Sequence, residues 1–188
     1  MRDISLHLMD IVQNSIRAQA KLVQTHMTLN EKGILTLVVE DNGSGMDREL
    51  ISQVQNPFTT TRSSRRVGLG LPLLSENARR TGGAVTIQSE PGNGTVITAV
   101  FHTDHIDCLP MGDLAETILA LLIACPETPD FVFQLTAPGR EASLDTRVVR
   151  EILQGVPLNE PEVIQWMQST LREETQQVFG GTEYEIHR

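Results

Sequence analysis

Glu40-Asp41-Asn42-Gly43-Ser44-Gly45-Met46 is the stretch on which the reading of this chain turns. It is a dense turn signal that closes a β-rich run, Ile34–Glu40. A second β-rich run, Val23–Leu29, precedes it across Asn30-Glu31-Lys32-Gly33, the composition of a hairpin turn. Upstream, Ile4, Leu8, Ile11, Val12 and Ile16 recur at helical spacing, and Asp3 or Ser5 can cap them, which predicts a helix over 5–20. Downstream a short helix is expected near 47–53, then a polar stretch rich in Thr and Arg at 57–67. Gly68-Leu69-Gly70 opens a second long helix, 71–81, and Gly82-Gly83 stops it. Ala84–Ser89 and Thr95–His102 are strands joined by Pro91-Gly92-Asn93-Gly94. The order helix, hairpin, helix, loop, helix, hairpin predicts an α+β pair of layers: one antiparallel or mixed sheet with helices on one face.

The chain has 188 residues, of which 39% are apolar, enough for a real core and too many for a disordered chain. None of its apolar runs reaches the ~18 residues of a membrane span. Met1–Ser15 carries two acids in its first ten residues and no small-residue cleavage site, so it does not read as a signal peptide. Cys108 and Cys125 form no metal spacing and are too few for a disulfide framework, which favours a reducing cytoplasm. The net charge of −9 is uneven: residues 1–105 hold ten Lys/Arg and ten Asp/Glu, residues 106–188 five and fourteen. The excess therefore lies in the last 83 residues, and two units of different purpose are expected, 1–105 and 106–188. An acidic balance argues against general binding to a nucleic-acid backbone.

Glycine-rich turns at helix starts expose amides that suit an anion, because orphan N–H groups and the helix dipole both favour phosphate. Gly68-Leu69-Gly70 fits that description. The chain lacks the Gly-x4-Gly-Lys-Ser/Thr of a P-loop, and no strand–Gly-x-Gly-x-x-Gly–helix unit opens it as a dinucleotide fold would require. Taken singly, Asn14 reads as a satisfied polar residue, Asp41 as a turn former, and His7 as a core-edge or helix-cap residue.

The joint pattern is more specific. Asp10-Ile11-Val12-Gln13-Asn14-Ser15 resembles the N box of the ATPase superfamily of gyrase, Hsp90, histidine kinases and MutL (GHKL), and Glu40–Met46 resembles its first glycine box. Asn56-Pro57-Phe58-Thr59-Thr60-Thr61-Arg62 and Val67-Gly68-Leu69-Gly70-Leu71 are similar to the ATP lid and second glycine box. Thr81-Gly82-Gly83 and Gly92-Asn93-Gly94-Thr95 match the closing elements. The resemblance covers 1–102 in order, and its lid and later boxes look most like those of histidine kinases. It implies the Bergerat fold, an α/β sandwich that holds ATP between helices and lid, here with a small mixed α/β annex. It also implies roles. Asn14 would hold Mg²⁺ through its amide oxygen, a hard ligand for a hard cation, and Arg17 would touch phosphate. Asp41 would accept the adenine amino hydrogen, supported by Thr95; Gly43 and Gly45 would let the backbone pass the base, and Met46 would pack on it. Gly68, Leu69, Gly70 and Leu71 would cradle the phosphates. Thr60 and Arg62 would reach ATP from the lid, where Arg65 and Arg66 add charge, and the lid would order more around ATP than around ADP.

Two departures matter. Asp10, one turn before Asn14 on the same helical face, stands where gyrase, Hsp90 and MutL have a glutamate that orients water. Its carboxylate lies about 1–1.5 Å nearer the helix than a glutamate's, so Asp10 is the candidate general base of a slow hydrolysis. The chain also begins almost at the N box, with no phospho-accepting histidine hairpin before it. The expectation is therefore a free-standing ATP-binding unit and not a self-contained sensor kinase. It would phosphorylate a partner protein, hydrolyse ATP slowly, or act as a nucleotide-sensing adaptor, in a bacterial cytoplasm and away from membranes. Residues 106–188 read as an acidic, mostly helical annex with a short hairpin. Helices are expected over 113–124, after Asp145 and from Pro161, and strands at 131–136 and 141–144. The annex is a candidate docking or dimerisation module, which leaves a homodimer open, and its tail after Phe179 reads as loose.

Overall fold

The computed structural model of the protein describes residues 2–55 and 70–180. The described helices are α1 (Ile4–Arg17), α2 (Arg48–Gln55), α3 (Gly70–Arg80), α4 (Leu114–Ala124), α5 (Thr146–Leu153) and α6 (Pro161–Phe179). The strands are β1 (Leu22–Leu29), β2 (Ile34–Asp41), β3 (Val85–Ser89), β4 (Thr95–His102), β5 (Asp130–Ala137) and β6 (Arg140–Asp145). Helix starts follow the caps: Asp3 accepts from the Leu6 amide at 2.8 Å, Asp113 from Glu116, and Asp145 from Arg147. Pro161 opens α6, where a missing N–H costs nothing. The tail after Gly180 lies outside the described residues.

The strands form one six-stranded mixed sheet in the order β3-β4-β2-β1-β5-β6. Register explains how one face becomes the core. Val23, Thr25, Met27 and Leu29 of β1 oppose Asp41, Val39, Leu37 and Leu35 of β2, and those oppose Thr95, Ile97, Ala99 and Phe101 of β4. All are buried, whereas their strand neighbours are not, as a half-buried sheet of period two requires. Helices α1, α3, α4 and α6 pack over that face, giving the two-layer α/β sandwich expected from the sequence.

The hairpin of the acidic stretch joins this same sheet. β5 lies parallel to β1, with Val23 beside Phe131, Thr25 beside Phe133 and Met27 beside Leu135. Phe131 and Phe133 stack at 5.9 Å between ring centres, and α4 packs on α1. A single cluster of buried residues therefore runs from Ile4 to Phe179.

His7, on α1, is fully buried in this core. Its Nε2 accepts from the Asn77 amide at 2.8 Å, and its Nδ1 finds no partner among the described residues. Burial pushes its pKa down from 6.5 to about 4. Between those values the unfolded chain holds the proton and the folded chain does not. The associated stability is thus complete above pH 6.5 and is lost as pH falls toward 4. At pH 5 the loss from this ring is about 2 kcal/mol by linkage. Urea unfolding at pH 7.5 and pH 5 should show the wild type losing that much more than His7→Gln; equal losses in both proteins would refute a neutral, buried ring.

Candidate functional site

The C-terminal end of α1 runs beneath the turn that follows β2. Ala18, which caps α1, accepts at its carbonyl from the Ser44 amide at 2.8 Å, so helix and turn are held together by backbone. The turn is in turn locked to the β3–β4 connection, where the Gly92 amide donates to the Ser44 carbonyl at 2.8 Å. Two glycines make that approach attainable. Gly45 has φ +65° and a Cβ there would fall 1.9 Å from the Glu90 carbonyl oxygen; Gly94 has φ +81° and a Cβ would fall 1.8 Å from that of Asp41. No side chain fits at either position.

Asp41 ends β2 with its side chain buried on the helix-covered face. The Ser15 hydroxyl donates to Oδ2 at 2.7 Å, and the Gly43 amide donates to Oδ1 at 2.8 Å. Each oxygen keeps acceptor capacity beyond these bonds. Thr95 sits beside Asp41 in the register and contacts Ser89 Oγ at 2.9 Å. Ser89 spends its one hydrogen on the Gly94 carbonyl at 2.7 Å and accepts from the Met46 amide at 2.8 Å. The Thr95 hydroxyl must therefore be the donor in the contact between them. What Thr95 has left is lone pairs. The Asp41–Thr95 neighbourhood consequently offers acceptors, which suits a ligand edge that carries N–H donors, and Met46 packs against the core beside it.

At the other end of the site, Asn14 and Arg17 occupy one face of α1, and Arg17 Nη1 donates to Asn14 Oδ1 at 3.0 Å. Asp10, one turn earlier, lies against the start of α3: a Cβ on Gly70 would meet Asp10 Oδ2 at 2.7 Å. Gly70 thus permits a carboxylate to approach the first described turn of α3. Leu71 is buried in the core. The structure gathers Asp10, Asn14, Arg17 and Gly70 at one end and Asp41, Gly43, Gly45, Met46 and Thr95 at the other. Thr60, Arg62, Gly68 and Leu69, with the rest of the expected lid, lie outside the described residues. Ser15 and Ser89 were not singled out by sequence reasoning. Ser15 stands next to Asn14, and only the packing of α1 on β2 reveals its partner.

The fold is thus a two-layer sandwich with a buried acid at the end of a central strand and a polar helix face beside it. Residues 2–105 match the family model described as histidine kinase-, DNA gyrase B- and HSP90-like ATPase, and the chain belongs to that family. Among curated proteins it is similar to sporulation kinase C of Bacillus subtilis, 34% identical over 92 residues, or 48% of this chain and 21% of that one. It is also similar to the tetrathionate sensor histidine kinase TtrS of Salmonella typhimurium, 32% identical over 105 residues, or 52% of this chain and 17% of that one. The matched stretch spans only 15–21% of the first such relatives' length. The N-terminal domain of a DNA repair protein shares the fold, with a TM-score of 0.50 at 14% identity over 96% of this chain and 58% of that one. Among the described residues no helix is long and apolar enough to cross a membrane.

Proposed function

We propose that the chain binds Mg²⁺–ATP and acts as a histidine-kinase-like regulatory protein on a partner protein in a bacterial cytoplasm, by phosphotransfer or by a nucleotide-dependent switch. The observation that carries nucleotide binding is the acceptor pair Asp41 and Thr95, fixed by Ser15, Gly43 and Ser89 at the end of the central strands. Adenine presents an amino group to such acceptors, whereas guanine would turn a 6-oxo group on them. Similarity to sensor and sporulation kinases favours the kinase reading. Residues 106–180, part of the same sheet, would present the partner-binding surface.

Magnesium is compatible with the donor set. Asn14 offers an oxygen, the Asp10 carboxylate lies one turn away, and among the described residues no cluster of three His, Cys, Asp or Glu would favour a softer metal. When bound, the cation would neutralise phosphate charge. Asn14→Ala should weaken ADP binding more in magnesium than in a chelator, and an equal loss in both would make Asn14 structural. Asp10 against Gly70 supports a second reading, a slow stand-alone ATPase with Asp10 as base. Purified protein incubated with γ-labelled ATP, magnesium and extract from the native source separates the two. Label appearing on an extract protein is the expected result; free phosphate alone would replace phosphotransfer with hydrolysis, and neither would leave an adaptor.

A further inference from the structure

Helix α3 meets α1 at two points that lie two turns apart along one face of α3. At one, the Asn77 amide donates to His7 Nε2 at 2.8 Å; at the other, the Asp10 carboxylate lies against Gly70. Gly70 and Asn77 are seven residues apart, which on a helix is the same face, and His7 and Asp10, three apart, share a face of α1. The two contacts are therefore coupled. Whatever holds Asn77 on His7 also decides which residue of α3 stands over Asp10.

His7 is a costly choice for that place. It is fully buried, its ring stays neutral, and Nδ1 finds no partner among the described residues. An apolar pair would serve the core at least as well. What apolar contacts do not supply is register. Leu71, Leu74 and Ala78 form the buried side of α3, and such contacts are non-directional, so a slide of one turn would exchange one for another. The same slide would part Asn77 from His7. Toward the start of α3, it would also bring Leu73 or Leu74 to the place of Gly70, where even a Cβ would fall 2.7 Å from Asp10 Oδ2. We propose that the His7–Asn77 bond is a register pin, which holds α3 on α1 so that glycine and not leucine meets Asp10 at the nucleotide end. His7 and Asn77 are positioning residues, acting through Gly70 and not by touching the nucleotide. This rests on the nucleotide reading above and deepens it.

The test pairs urea unfolding with a calorimetric titration of Mg²⁺–ADP, on the full chain and well below every melting temperature, so that unfolding does not enter the affinities. His7→Gln keeps an acceptor for Asn77 and should bind ADP as the wild type does. His7→Leu combined with Asn77→Leu removes both polar groups together, which is near neutral for a fold, so its urea midpoint should stay at or above that of the wild type. Its affinity for ADP should nonetheless fall by about three- to tenfold, an ordinary size for coupling within one network. Stability kept and affinity lost is a result that a merely structural pair would not give. Wild-type affinity in the double variant overturns the pin while leaving nucleotide binding intact, and so does His7→Gln binding as weakly as the double variant. If the double variant unfolds more easily than the wild type or does not fold, Asn77→Ala, at a half-buried position, decides. Weaker ADP binding by that variant supports the pin, and unchanged binding overturns it. Wild-type protein that binds no ADP overturns the nucleotide reading and this inference together.

Discussion

Ending the chain after residue 105 is expected to leave a protein with no cooperative thermal transition, although that piece contains every residue assigned to the nucleotide. The reason lies in what 106–180 covers. β1 would lose its parallel partner β5 and become a bare sheet edge, and α1, which carries Asp10, Asn14 and Arg17, would lose α4 from its flank. Three of the side chains removed, Phe131, Phe133 and Leu135, are buried on the same sheet face as Val23, Thr25 and Met27. A single substitution gauges the size. Phe131→Ala removes a fully buried ring and should cost about 3–5 kcal/mol, a large part of the stability of an ordinary domain. Denaturant unfolding of Phe131→Ala and calorimetric scanning of the truncated chain check both statements. A truncated protein that melts sharply near the wild-type temperature would show that the acidic half is an appendage.

The second large effect concerns Asp41. Replacing it with Asn turns one of two accepting oxygens into an NH₂ donor. Ser15 and Gly43 both donate to the carboxylate, so that NH₂ must face either one of them or the ligand. Facing Gly43 it would oppose a second donor; facing Ser15 it is accepted by a hydroxyl that can turn its own hydrogen toward the Ile11 carbonyl, 3.5 Å away, and the ligand still loses one of two accepting oxygens. ATP affinity should fall by about 1–3 kcal/mol, or 5- to 150-fold, with little change in unfolding by heat because the fold keeps its glycine-locked turn. Equal affinities in wild type and variant would remove the assignment of Asp41 to adenine. The Ser15→Ala variant is the informative companion. It leaves the carboxylate in place and removes only the donor that aims it, so a smaller loss in the same direction is expected.

Much of this was legible in the sequence because it is local. Asp3 and Asp145 announce their helices, and Pro161 starts the last one. Gly43, Gly45 and Gly94 are there because two backbones meet, which a dense run of turn-formers signals even before the partner is known. What the sequence withheld is non-local. Phe131-Val132-Phe133 reads as a strand, but nothing in it says that the strand lies parallel to one a hundred residues earlier. The charge step near residue 105 suggested two purposes, whereas strand pairing and the buried cluster run straight across it. Ser89 and Thr95 flank a hairpin; register sets Thr95 beside Asp41, and the bonds of Ser89 to Gly94 and Met46 leave Thr95 as the donor between the two hydroxyls. Arg17 could be placed on the face of Asn14 by spacing alone. Its bond to the very oxygen assigned to the metal required the structure.

The central claim is that the acceptors at Asp41 and Thr95 read an adenine. Titrating the wild-type chain with Mg²⁺–ATP and with Mg²⁺–GTP, side by side in the calorimeter, tests it most directly. The account predicts one-to-one binding of ATP and at least about tenfold weaker binding of GTP, since a 6-oxo group facing these acceptors forfeits a hydrogen bond and leaves buried oxygens opposed. Equal affinity for the two nucleotides, or no binding of either, would contradict it.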